Sequence, residues 1–181
     1  MRYIKDEGIV IRRRNIGEAD RILTIFTKWH GKISIKAAGV RKITSRRASS
    51  IELLNHIHAS LYKGKGMPVL TEVVTVDDYS SIKNDLKKVG LAYHICEIVD
   101  GLCAENQEQR FIFTQLQRIL SVLAEGKVNM AQIREFELSI LIHLGFYAKS
   151  KDTSTLNTNN FIEHILERRL KARQFLSKFV S

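Results

Sequence analysis

Cysteine, long apolar runs and catalytic signatures are scarce or missing in these 181 residues. The two cysteines, Cys96 and Cys103, allow at most one disulfide and cannot fill the four protein positions of a structural zinc site. Seven apart on one helical face, they would stand about 10 Å apart along the axis, too far to bridge. Both are therefore expected to be reduced, buried small hydrophobes, as in a cytosolic protein. No stretch approaches 18 uninterrupted apolar residues, so no membrane-spanning helix is expected. The opening MRYIKDEGIVIRRRN carries charge every few positions, which does not fit a secretory signal. The phosphate loops GxxxxGKS/T and GxGxxG are absent, as are HExxH and GxSxG, so a non-enzymatic protein is expected.

What is abundant is positive charge. Lys and Arg number 29 against 19 Asp and Glu, a formal +10 that points to a polyanionic partner, nucleic acid or an anionic surface. Residues 1 to 80 carry 15 cations against 8 acids, residues 81 to 145 carry 7 against 8, and residues 146 to 181 carry 7 against 3. A basic front, a neutral middle and a basic tail suit a shaped binding surface better than evenly spread solubilising charge.

Hydrophobic periodicity changes near residue 80. Before it, short alternating runs predict five strands: Tyr3 to Arg14 with a bulge at Gly8, Ile22 to Lys28, Lys32 to Ala38, Ile51 to Tyr62 and Val69 to Tyr79. Five strands without a long intervening helix suit a small antiparallel barrel, the OB-fold being the commonest such candidate. After residue 80 the spacing is helical. One long helix is predicted from Ile82 to Leu102, a second from Phe111 to Leu123 closed by Gly126, and a third from Met130 to Leu144 capped by Asn129. Lys149 to Asn159 reads as a polar connector, and Asn160 with Glu163 predicts a capping box opening a last helix, Phe161 to Phe179. The expected class is α+β: residues 1–80 an OB-fold nucleic-acid-binding domain and residues 81–181 a helical domain.

Candidate binding residues follow the charge. Arg12, Arg13 and Arg14 leave the first strand, Arg21 follows the connector, and Lys32 and Lys36 alternate with isoleucines on the third strand. The segment GVRKITSRRASS places Arg41, Lys42, Arg46 and Arg47 among hydroxyls, a composition fit to follow a phosphate backbone. Lys63 and Lys65 occupy the loop between strands four and five, one of two loops that OB-folds use to grip oligonucleotides. Arg168, Arg169, Lys171 and Arg173 crowd the last helix, where the helix dipole explains them as well as a ligand does. Among the few rings, Trp29 is the candidate for base stacking. Arg110 and Arg118 would rim a groove for an acidic peptide. The adjacent acids Asp6-Glu7 and Asp77-Asp78 read as turn residues. His56 and His58 share a strand face but lack a third ligand, so no metal and no cofactor are expected.

The run EGIVIRRRNIGEADRILTIFTKWHGKISIKAAGVRK, residues 7 to 42, resembles the N-terminal domain of the RecO family of bacterial recombination mediators. Its telling pieces are Glu7-Gly8-Ile9-Val10, Gly17-Glu18-Ala19-Asp20-Arg21, Phe26-Thr27 and Gly31-Lys32. Leu61-Tyr62, Leu70-Thr71-Glu72, Phe136-Glu137-Leu138, Leu144-Gly145 and Lys171 to Leu176 extend the likeness over nearly the whole chain. The resemblance implies binding of single- and double-stranded DNA and annealing of complementary strands. It also implies partnership with RecR and with the acidic tail of single-stranded DNA-binding protein, and indirect help to RecA, in the bacterial cytoplasm at the nucleoid. Many relatives insert a four-cysteine zinc module in the helical half; the stretch after Gly145 has no cysteine, so zinc is not expected here. A monomer without membrane association is expected. Two other classes stay open: a protein-interaction adaptor working through the helical half, and an RNA-binding OB-fold protein.

Overall fold

The computed structural model describes residues 2–172, and the chain divides into two compact units. The first holds residues up to Tyr79 together with Ala104–Thr114; the second holds Ser80–Cys103 and the residues from Gln115 onward.

In the first unit, β1 (Tyr3–Ile16), β2 (Asp20–Thr27), β3 (Gly31–Ala37), β4 (His56–Tyr62) and β5 (Val69–Asp77) close into a barrel in the order β1-β2-β3-β5-β4. That is the five-stranded OB-type arrangement expected from the alternation. Its interior is filled by Val10, Leu23, Ile25, Ile33, Ile35, Ile57, Leu61 and Leu70, all at most 7% exposed. β3 and β5 meet through one parallel bridge, Lys36 to Val69.

Three local expectations are corrected. The break in β1 lies between Val10 and Arg12, where the register against β2 shifts, and not at Gly8. Gly8 serves close approach instead: a Cβ there would lie 2.5 Å from the Ile25 side chain. β4 begins at His56, because residues 51–55 turn after the 3-10 turn Ser49–Ile51. Leu54 adopts φ 73°, and Asn55 Nδ2 donates to the carbonyls of Ser49 and Ser50 at 2.8 and 3.0 Å. Asp6 is no turn residue: its buried carboxylate accepts from the backbone N–H of Trp29 and Glu7 and lies 2.6 Å from His30 Nδ1.

The segment 104–114 lies along the start of β3. Glu105 bridges Lys32, Asn106 N–H donates to the Lys32 carbonyl at 2.8 Å, and the Phe113 ring meets His56 edge-on at 6.1 Å. This path depends on Gly31, which has φ +65° and whose absent Cβ would sit 1.7 Å from the Gln107 carbonyl oxygen.

The second unit contains α1 (Ser80–Lys83), α2 (Leu86–Leu102), most of α3 (Arg110–Ala124), α4 (Met130–His143) and α5 (Thr158–Leu166). The long first helix expected from periodicity is split, because the Asp85 carboxylate accepts from the N–H groups of Lys87 and Lys88 and starts α2 afresh. Asn129 caps α4 in a box with Gln132. The last helix starts earlier than expected: Asn157, not Asn160, supplies the cap, and α5 ends at Leu166 because Glu167 turns left-handed at φ 52°. Residues 173–179 of the expected helix lie outside the described residues. Glu137 is buried with His94 (Nε2 to Oε1, 2.7 Å) and accepts from the Thr158 hydroxyl, which joins α2, α4 and α5. Burial pushes the Cys96 thiol up to about 12, and Cys103 is also buried and free of disulfide. No helix among the described residues is long and apolar enough to cross a membrane.

Two outcomes follow. Gly31→Ala forces a left-handed alanine into the Gln107 backbone and should cost about 2 kcal/mol or more in urea unfolding. Glu97 on α2 accepts from Ala172 N–H (3.0 Å), Lys171 N–H (3.1 Å) and Arg168 Nη1 (2.5 Å). Burial works against its ionisation, yet these donors outweigh burial and hold its carboxyl below the ordinary glutamate value. A depressed folded value gives stability that is present at neutral pH and lost as acidification protonates the group. Glu97→Gln should therefore lower stability by about 1–2 kcal/mol at pH 7. Thermal melts of the two proteins should converge as pH falls below the ordinary glutamate range.

Candidate nucleic-acid interface

The bulge in β1 decides which arginines face outward. Beyond it, Arg12 lies opposite Thr24, which lies opposite Ser34; Arg14 lies opposite Ile22, which lies opposite Lys36. Residues two apart share a face, so Arg12, Arg14 and Lys36 stand on the outer surface, with Arg14 and Lys36 about 10 Å apart across two strand spacings. Arg13 falls on the inner row with Leu23 and Ile35 at the barrel mouth.

The β1–β2 turn is tied to the basic loop. Asp20 accepts from Gly39 N–H at 2.8 Å and pairs with Lys36 at 2.9 Å, and Arg41 N–H donates to the Ala19 carbonyl at 2.9 Å. The Arg41 guanidinium reaches the Gly17 carbonyl at 3.0 Å. The Gly39 N–H first, then Lys36, holds the Asp20 carboxyl below its usual range, so it stays charged at neutral pH. The basic loop that carries exposed Arg41, Lys42 and Arg46 is thereby anchored at Gly39 and Arg41 to the β1–β2 turn. The β4–β5 loop joins the same rim, since Lys36 N–H donates to the Pro68 carbonyl at 2.8 Å, and it brings exposed Lys63 and Lys65. Ile43 stands fully exposed among these cations.

Other expected site residues are engaged elsewhere. Arg47 turns inward and donates to the carbonyls of Leu70 and Ala38, both at 2.8 Å, which makes it a structural residue of the loop. Arg13 and Arg21 both bind Glu52, and Arg21 also reaches Asn15 at 3.1 Å. Lys32 sits four residues before Lys36, about 13 Å along β3, beside Glu105. Trp29 is half-exposed at the β2–β3 turn, but the Arg110 guanidinium lies 3.8 Å over its ring, so one stacking face is taken. Arg110 also pairs with Glu108 and does not line the groove to which Arg118 belongs. Arg118 does line a shallow groove of the helical unit with Ile119, Val122, Glu135 and Phe136. Arg168 is bound to Glu97, Arg169 and Lys171 are exposed, and Arg173 lies outside the described residues. Among the described residues no three His, Cys, Asp or Glu side chains gather to hold a metal ion; His56 pairs with Glu7 at 2.8 Å.

The model "Recombination protein O N terminal" matches residues 1–79, and "Recombination protein O C terminal" matches residues 83–154. The chain belongs to the RecO family. It is 36% identical over 145 residues to the DNA repair protein RecO of Roseiflexus sp., covering 80% of this chain and 51% of that one. It is also 36% identical over 147 residues to the RecO of Acetivibrio thermocellus, covering 81% and 59%, and 34% identical over 141 residues to that of Symbiobacterium thermophilum, covering 77% and 56%. The chain thus spans between half and three fifths of the length of these curated relatives. In RecO terms, the N-terminal match takes in the whole barrel and its basic rim.

Sequence reasoning ranked Arg46 and Arg47 as equals, and the structure separates them. Arg47→Ala leaves the carbonyls of Ala38 and Leu70 without this donor and should lower stability by about 1–3 kcal/mol in denaturant unfolding. Arg46→Ala should leave stability within about 0.5 kcal/mol, because the side chain is exposed.

Proposed function

We propose that the basic rim of the barrel binds the phosphate backbone of DNA without reading sequence, in the service of DNA repair and recombination. What supports this reading is that Arg12, Arg14, Lys42, Arg46, Lys63 and Lys65 are all exposed and belong to the end of β1, the basic loop and the β4–β5 loop, segments tied to the ends of β2 and β3 through Asp20, Gly39 and Pro68. Backbone contacts supply affinity and position but no sequence information. Few rings accompany these cations, which favours phosphate contact over base stacking. Exposed Ile43 offers an apolar contact to a base face without hydrogen-bonded readout.

On this reading the chain binds single- and double-stranded DNA and anneals complementary strands. Two strands repel through their phosphates; a surface that neutralises both lowers the cost of encounter, and base pairing drives the product. No catalytic residue is needed. The family likeness extends the proposal to RecR, to the acidic tail of single-stranded DNA-binding protein and to indirect loading of RecA. The Arg118 groove supports a second reading, an adaptor for an acidic peptide with apolar residues, since it sets a cation beside Ile119, Val122 and Phe136. An RNA ligand is separated from DNA by competition between matched strands, because 2′-hydroxyl contacts would favour RNA.

If about five phosphates are neutralised on a single strand, log affinity should fall with log salt at a slope near −3.5, from about 0.7 per contact. Replacing Arg14, Lys42 and Arg46 together by Ala should shrink that slope by about 2 and weaken all sequences equally. A flat salt response, or loss confined to one sequence, would overturn backbone binding. Annealing of oligonucleotides coated with single-stranded DNA-binding protein, with and without its acidic tail, tests the mediator role.

A further inference from the structure

Arg13 and Arg21 stand at the basic rim, yet both guanidiniums converge on one carboxylate. Arg13 Nη1 donates to Glu52 Oε2, and Arg21 Nη1 donates to Glu52 Oε1 at 3.2 Å. Glu52 is carried on a firm base: Ile51 before it is fully buried, Leu54 after it is buried in a left-handed turn, and buried Asn55 ties back to Ser49 and Ser50. The Glu52 side chain is nevertheless 38% exposed, as is Arg13 at 37%, so solutes can reach the fork. Two guanidiniums around two oxygens that share one negative charge is the geometry a phosphodiester would also satisfy.

We propose that the Arg13–Arg21 fork is an anion site of phosphodiester type, and that Glu52 keeps it closed. Glu52 is tethered, so its local concentration exceeds that of any free phosphate. A DNA phosphate that displaced it would break two charge-assisted hydrogen bonds to form two, with no net gain. The protein therefore grips DNA through Arg14, Lys42, Arg46 and their neighbours while Arg13 and Arg21 stay engaged by Glu52. Removing the charge of Glu52 adds up to two phosphate contacts. The proposal rests on the DNA-binding reading.

The test is a salt titration of single-stranded DNA binding by the full chain. Glu52→Gln should steepen the slope by about 1.4, making the affinity change between 50 and 200 mM salt about sevenfold larger than for the unaltered protein. Arg13→Ala in the unaltered background should leave the slope unchanged, but in the Glu52→Gln background it should remove about half of the increment. Arg14→Ala should shrink the slope by about 0.7 in either background, which reports that the DNA reading itself holds. A folded Glu52→Gln protein with an unchanged slope would overturn the closed fork. So would an Arg13→Ala loss equal to that of Arg14→Ala, since the fork would then already be open. Arg13 is exposed, so its substitution decides the matter even where Glu52→Gln loses stability. If the unaltered protein shows no salt-dependent DNA binding, the DNA reading fails by itself. The fork is then read from inorganic phosphate at fixed ionic strength, which should raise the melting temperature of Glu52→Gln and not that of the unaltered protein.

Discussion

The barrel closes where β3 and β5 meet, and that junction is a single backbone bridge. Lys36 pairs with Val69 and donates to the Pro68 carbonyl, after which β3 ends and β5 runs on without it. The Arg47 guanidinium takes over from the missing ladder by joining the carbonyls of Ala38 and Leu70. A fork of rigid donors suits this role, since a lysine would offer one point charge where two diverging carbonyls need donors. Barrel closure and the anchoring of the basic loop are thus made by the same few residues. The Lys36 backbone completes the sheet, its side chain pairs with Asp20, and Asp20 anchors the basic loop through Gly39.

Carboxylates decide how much of the positive charge is usable. The front 80 residues carry 15 cations, but Asp20, Glu52 and Glu7 engage Lys36, Arg13, Arg21 and Lys28. At Glu7, burial opposes ionisation, and hydrogen bonds from Lys28 and His56 overcome it, so the carboxyl sits below its ordinary value. Such ion pairs contribute little to stability where they are exposed. Their larger effect is on the field that an approaching polyanion meets, because a paired cation releases no counterion.

The sequence carried the class of the fold and the density of the rim, because both are local or compositional. Alternation located five strands, and the crowding of Arg41, Lys42, Arg46 and Arg47 survives any rearrangement of the loop. Three features had no local signal. Glu52 lies 31 and 39 residues from the arginines it holds, and its own neighbours read as a continuing strand. The left-handed turn at Leu54 defied its apolar pattern, since nothing in a leucine announces a positive φ. The return of Ala104–Thr114 to the barrel unit is written only in Gly31, whose missing Cβ admits the Gln107 backbone. At the other end, Glu163 suggested a capping box at Asn160, but its carboxylate instead accepts from Leu170 N–H at 2.9 Å, beyond the break at Glu167.

On the proposed reading, binding is limited by geometry and not by the number of cations. A phosphate contact needs a donor that is outward-facing, fixed and unpaired by acid; the register shift between Val10 and Arg12 settles the facing of three consecutive arginines at once. It turns Arg12 and Arg14 outward and leaves Arg13 at the barrel mouth, within reach of Glu52. Moving the bulge by one residue would exchange these roles, placing one arginine outside where two now stand. The same net charge would then present a different surface, so which arginines face outward is set in the backbone of β1.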